Sequence, residues 1–211
     1  RRDDGGSAGS ADQWPADDGS RVGDRHSNVG SSSLTLAGGF TNHGVIGLSA
    51  GGDYGDSWYS YLIVSSGTLV NAAEGTIQTT MGSGNGGRQL HATLDNQGLL
   101  DVTGPGLYWQ QSGQSTNAGT IQVAAGNLTI QGGDLANTAT GIIDIQTDGV
   151  FGGSGCPELI NQGLFVKSGA DDVTDLQMDL FNSGTVEVQR GVLNIGCGYV
   201  QTAGSTVVTG G

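Results

Sequence analysis

From about residue 31 onward, apolar and polar residues alternate in short runs that stop at Gly or Asn before reaching helical length. In "TIQV", Thr120 and Gln122 alternate with Ile121 and Val123. A period of two places one pair inward and the other outward on a β-strand. The same inward pair recurs as Leu100 and Val102, Ile143 and Ile145, and Val186 and Val188. Between Asn117 and Asn137 lie three such runs, "TIQV", "NLTI" and "DLA", separated by Ala-Gly and Gly-Gly. The pattern predicts three short strands and then a return to the starting chemistry.

That return repeats along the chain. An Asn, a short spacer, a Gly and an alternating strand start at Asn42, Asn71, Asn96, Asn117, Asn137, Asn161 and Asn182, with a degenerate copy at Gln201. Successive copies are 29, 25, 21, 20, 24, 21 and 19 residues apart. A period near twenty built from strand-length pieces excludes helical repeats and propeller blades. It predicts an all-β fold, a parallel β-helix of about eight coils, each advancing by one strand spacing of about 4.8 Å.

Stacking gives the corner residues their roles. A turn inside a stack leaves backbone groups without ladder partners, and each left unpaired in the interior costs about 1–3 kcal/mol. A column of Asn amides answers that need by bonding to those groups and to the Asn of the next coil. The Gly that follows is expected to supply a positive φ at the corner.

Composition narrows the function. Of 211 residues 41 are Gly and three Pro, without the every-third-residue Gly of collagen. The formal charge is −13, and after residue 30 only Arg88, Lys167 and Arg190 are basic, which argues against nucleic acid as a partner. No apolar stretch approaches the roughly 18 residues of a membrane span. The first residue is not Met and no signal peptide is seen, the expectation for a processed chain or a fragment.

The stretch "FNSGTVEVQRGVLNIGCGYVQTAGSTVVTGG" resembles the repeats of large bacterial surface proteins, the filamentous haemagglutinin-type adhesins and autotransporter passengers. The resemblance covers roughly residues 31 to 211. It implies a right-handed parallel β-helix, secretion to the cell surface, and a structural or adhesive role. Such repeats carry no family catalytic motif, so it assigns no residue a catalytic role.

Residues 1–30 differ: they are polar and rich in Gly, Asp and Ser, with Trp14 their one large apolar residue. They read as an arm laid along a β-helix and anchored by Trp14, ahead of a β-helix domain spanning 31–211. An insertion at about 51–61 accounts for the longest gap and holds Tyr54, Trp58, Tyr59 and Tyr61, with Tyr108 and Trp109 two coils later. Two readings stand side by side. Trp58, Tyr59 and Trp109 offer contacts to a partner protein or a cell-surface glycan; or Tyr61 and Tyr108 fill the core and Trp58 folds over its own loop.

Other constellations carry less. Asp101 and Asp144 share an outward column two coils apart, about 9.6 Å by strand spacing, near the upper end for the carboxylate pair of an inverting glycosidase. Alternation of Gln and carboxylate on a solvated face accounts for them more simply. Asp171, Asp172, Asp175 and Asp179 lack the Gly-rich nonapeptide of calcium-binding β-rolls and read as a solvated acidic segment. His26, His43 and His91 fall in different repeats without ligand spacing, and "GGSAG" matches a nucleophile elbow only as a string. No catalytic, cofactor or metal residue is therefore expected.

Lys167 takes the position held inward by Val123, Ile145 and Val188. It must neutralise, pair with Asp171 or Asp172, or escape through a bulge; the expectation is a strand that ends early and lets the Lys bend out to water. Cys156 and Cys197 fall in coils separated by a further coil, roughly 9–10 Å apart by strand spacing. Bridging requires less than about 7 Å, so two separate thiols are expected. The functional expectation is a non-catalytic extracellular shaft, part of an adhesin or a fibre of copies stacked head to tail. The alternative is a carbohydrate-binding or carbohydrate-cleaving module.

Overall fold

The computed structural model describes residues 30–51, 57–83 and 86–210. The expectations for the arm, Trp14 and Tyr54 concern residues outside that set. Within it the chain is a parallel β-solenoid built from 22 strands, every pairing parallel.

Each coil has three faces. On the first run Ser32–Leu36, the early halves of Ser60–Asn71 and Arg88–Asn96, then Gly106–Gln110, Asn127–Gln131, Gly149–Gly152, Val173–Gln177 and Val192–Ile195. The second holds Phe40–Asn42, the late halves of the same two long strands, Ser115–Asn117, Leu135–Asn137, Glu158–Asn161, Asp179–Asn182 and Tyr199–Gln201. The third runs from Val45–Ser49 through Thr76–Thr80, Leu99–Val102, Thr120–Val123, Ile142–Ile145, Leu164–Lys167 and Thr185–Val188 to Ser205–Val208, an eight-stranded sheet. Because Ser60–Asn71 and Arg88–Asn96 continue round a corner, the first two faces merge into one 14-stranded sheet.

The core is a set of columns, one residue per coil. On the third face Ile77, Leu100, Ile121, Ile143, Phe165 and Val186 stack in register and all are buried. On the second, Leu69, Leu94, Ser115, Leu135, Leu159 and Leu180 form the matching column, where the Ser115 hydroxyl accepts the Leu94 N–H at 2.9 Å. Strand alternation puts the intervening residues on the outside.

The corner between second and third faces is polar and dry. Asn71, Asn96, Asn117, Asn137, Asn161 and Asn182 are fully buried, and Asn42 nearly so. Each Nδ2 from Asn42 to Asn161 donates to the Oδ1 of the Asn one coil on, at 2.7–2.8 Å. The same nitrogen also approaches a backbone carbonyl in the next coil, Leu99 for Asn71 and Ile142 for Asn117, both at 3.1 Å. Aligned bonds of this kind polarise one another.

The corner glycines serve a purpose other than the one expected. Among them only Gly204 has a positive φ, 67°. At Gly98, Gly119, Gly163 and Gly184 a Cβ would strike the carbonyl of the corner glycine one coil earlier. That carbonyl accepts the N–H of the residue following the next corner glycine, as in Thr120 to Gly98 at 2.8 Å. Glycine is selected here for close approach of one backbone to another.

Candidate binding surfaces

The aromatic residues divide by strand parity. In "GLYWQ" Leu107 and Trp109 point inward, Tyr108 and Gln110 outward. Trp109 stacks between Leu90 and Ile130, fully buried, and its indole Nε1 donates to the Ala92 carbonyl at 3.0 Å. It is a core residue, which removes it from the expected contact surface. Tyr61 and Tyr108, the candidates for core filling, are half-buried on the outer face instead. Trp58 is half-buried where the backbone of Gly86 passes so close to its carbonyl that no side chain would fit.

Pairing register arranges the outer side of the first face. Tyr61, Gln89, Tyr108 and Thr129 form one column. Tyr59 heads the neighbouring column, its ring lying over Gly87, which is followed by Gly106 and Asn127. The Tyr59 and Tyr61 rings are 6.0 Å apart, and His91 meets Tyr61 edge-on at 5.8 Å. His91 hydrogen-bonds the Gln89 amide oxygen at 3.0 Å, and the Tyr108 hydroxyl donates to Gln110 at 3.3 Å. Burial holds the His91 pKa below its ordinary value, so the ring is neutral near pH 7. Beside Tyr108 a shallow cavity of about 210 Å³ is lined by Gly87, Gly106, Asn127 and Thr129.

On the third face Asp101, Gln122 and Asp144 do lie in one column in register. Their surroundings differ. Asp144 accepts the Ser168 hydroxyl at 2.5 Å and the Gln146 amide at 2.7 Å. Asp101 has one carboxylate oxygen buried without a hydrogen-bond partner, and desolvation raises its pKa.

The acidic segment does not converge on one point. Asp171 pairs with Arg190, which donates at 2.5 and 2.9 Å and keeps the Asp171 pKa low. Asp175 accepts from Asn194 at 2.7 Å, and Asp179 from the Gly198 N–H at 2.6 Å. Asp171, Asp175 and Asp179 thus each serve a neighbouring coil.

Lys167 overturns the expectation of an early strand end. Its strand keeps full register with Ile145 and Val188, and the side chain is fully buried. The ammonium donates to the carbonyls of Gly169 at 2.7 Å and Ala170 at 3.4 Å, and lies 3.7 Å from Asp148. Ala170 takes a left-handed conformation, φ 57°, bending the chain over the lysine tip. The partner is Asp148, half-exposed in the preceding coil, and neither Asp171 nor Asp172.

The two cysteines also depart from expectation. Cys156 and Cys197 form a disulfide, with Cα atoms 6.0 Å apart. The coil between them turns its corner with the single residue Met178, fully buried, whereas the flanking coils use 153–157 and 196–198. The two longer corners fold over the short one and meet. Left-handed backbone at Gly155 (φ 87°) and Cys156 (φ 53°) bends the first of them. Uniform strand spacing overestimates the gap because corners, unlike strands, are free to lean along the axis.

At the final coil the inward side chains that would meet the next rung are open: Tyr199 is 39% exposed and Val208 74%. At the opposite edge Leu34, at the inward position paired with Leu62, is exposed. Compared with known proteins, the chain matches no family model, no curated sequence and no solved structure.

Proposed function

We propose that this protein is a non-catalytic structural shaft, secreted to a bacterial cell surface, whose copies stack head to tail into a fibre or an adhesin stalk. The observation that carries the reading is the single polarity of the stacked coils, every strand pairing being parallel. The buried Asn column runs one way, each amide nitrogen from Asn42 to Asn161 donating to the following coil, until Gln201 takes the position in the last coil. Stacking end on end in the same sense continues the parallel ladders; any other orientation interrupts them. The uncovered inward side chains of the last coil, Tyr199 and Val208, would be buried by such a contact, and an open strand edge templates association. A head-to-tail contact is heterologous and generates filaments unless its geometry closes.

The Cys156–Cys197 bridge supports an oxidising, extracytoplasmic compartment. The resemblance to adhesin and autotransporter repeats supports the surface role. No helix among the described residues is long and apolar enough to cross a membrane. Sedimentation velocity across a concentration series, with negative-stain microscopy of the same sample, tests the proposal. Growing polymers and rods support it; a monomer at every concentration overturns the stacking.

A further inference from the structure

We infer that the outer side of the first face binds a neutral, extended polysaccharide, with Tyr61 and Tyr108 as stacking platforms. This stands on observations separate from those behind the shaft. The two tyrosines occupy one outward column with Gln89 between them. They are therefore two coils apart, about 9.6 Å by strand spacing, and share the same strand phase. Rings so placed serve alternate sugars of a chain running along the solenoid axis, since the faces of pyranose rings pack on aromatic rings.

The groups around them are hydroxyls and amides. Gln89, Gln110, Asn127 and Thr129 flank the tyrosines, offering both donors and acceptors to sugar hydroxyls. From Tyr59 to Gln131 the outward positions of this face hold no carboxylate or ammonium among the described residues, and His91 is neutral. In a chain of net charge −13 an uncharged strip of this size stands out. A polyanion would be repelled by the whole, and the one cation beside the depression, Arg88, is buried with its guanidinium bonded to the Thr80 and Gly86 carbonyls. A polycation would find its partners in carboxylates off this strip, such as Asp144, Asp172 and Glu187. A polymer bearing only hydroxyls fits. Below Tyr108, the glycine pair Gly87 and Gly106 leaves the 210 Å³ depression, smaller than the roughly 300–1,000 Å³ of sites for drug-sized ligands. It gives one ring room to bed against the Tyr108 edge.

The test is native gel electrophoresis of the full chain in gels containing hydroxyethyl cellulose, xylan, galactomannan or polygalacturonate. Retardation by at least one neutral polymer, with none by polygalacturonate, is expected. Tyr61→Ala combined with Tyr108→Ala should weaken that binding at least tenfold. Gln122→Ala, on the third face, should leave it unchanged. Should the double variant lose its β-sheet circular dichroism, Gln89→Ala with Gln110→Ala replaces it, with a smaller loss of severalfold. Mobility unaffected by every neutral polymer overturns the inference, as does retardation that survives both double variants. If the tyrosine variants instead change sedimentation while no polymer binds, the face contacts protein and the inference fails, whatever becomes of the shaft.

Discussion

The side-chain nitrogen of Asn117 donates to the side-chain oxygen of Asn137 over 2.8 Å, one coil to the next, with both residues fully buried. Asn117 Nδ2 also lies within reach of the Gly119 and Ile142 carbonyls, so one amide serves several acceptors at a dry corner. Replacing Asn117 by Ala strands those groups and is expected to cost about 1–3 kcal/mol. Gln122, half-buried on the outer face, should tolerate Ala within about 0.5 kcal/mol. Urea unfolding of the two variants checks this; equal losses would contradict the role assigned to the ladder.

The fold was legible because the solenoid is periodic. Seven Asn copies mark the same corner, and the alternation about Ile121 or Ile143 gives the inward columns directly. What the sequence hid is specific to single coils. The parity of "LYW" depends on where the strand begins, so Trp109 and Tyr108 exchange faces if the start shifts by one. The disulfide depends on Met178 shortening one corner, a three-dimensional effect that spacing cannot carry. Lys167 stays inside because Gly169 and Ala170 turn their carbonyls onto it. The tyrosine face was hidden for another reason: Tyr59, Tyr61, Gln89 and Tyr108 meet only once register is known.

Lys167 offers a comparison of size against charge. Lys167→Ala opens a cavity beneath the third face and leaves the Gly169 carbonyl unpaired, for an expected loss of about 3 kcal/mol. Lys167→Met keeps most of the volume and removes the buried charge, but it leaves the Gly169 carbonyl and the buried Asp148 Oδ1 without a partner. Its expected cost is about 2 kcal/mol, lower than Ala by the packing it retains, because the stranded carbonyl and carboxylate oxygen are common to both variants. Denaturant midpoints measure both. If Met costs as much as Ala, the ammonium contacts dominate over packing.

Asp101 should make stability depend on pH in an unusual direction for a carboxylate. Burial raises its folded pKa above the unfolded value of about 3.9. The protonated form is then favoured in the folded chain. Its contribution is fully present below the unfolded pKa and is lost as pH rises through the folded one. Asp101→Asn keeps the shape and removes the charge, so it should raise the melting temperature at pH 7. That gain should shrink as pH falls towards 4. A gain independent of pH would place its cause outside the ionisation.

The disulfide closes a sequence separation of 41 residues and ties the corner before Glu158 to the one before Tyr199. Loop-closure entropy over that separation gives roughly 4 kcal/mol of stabilisation. The loss on reduction should fall on the last coil, which packs on one side only. Hydrogen exchange after dithiothreitol treatment should therefore rise in Val192–Val208 before Thr120–Ile145 changes. Uniform loss of protection along the chain would show that the bridge acts on global unfolding alone.

Val208 separates the folded shaft from its assembly. It lies at an inward position of the last strand on the third face, paired with Val188, yet is 74% exposed because no further rung covers it. An Asp at this position remains in water in a single copy. Its cost should stay within about 0.5 kcal/mol, as for other surface changes. Once a second copy stacks on that edge, the same carboxylate would be enclosed among apolar side chains, while the neighbouring Arg190 is already paired with Asp171. A buried, unpaired charge is very costly, so Val208→Asp should abolish polymers in sedimentation velocity while leaving the melting temperature of the monomer nearly unchanged. Val186 in the preceding coil is the control: it is buried already, so Val186→Asp should unfold the shaft whether or not copies stack. Polymers that persist in a folded Val208→Asp protein would show that the contact lies elsewhere, and the head-to-tail fibre would have to be abandoned.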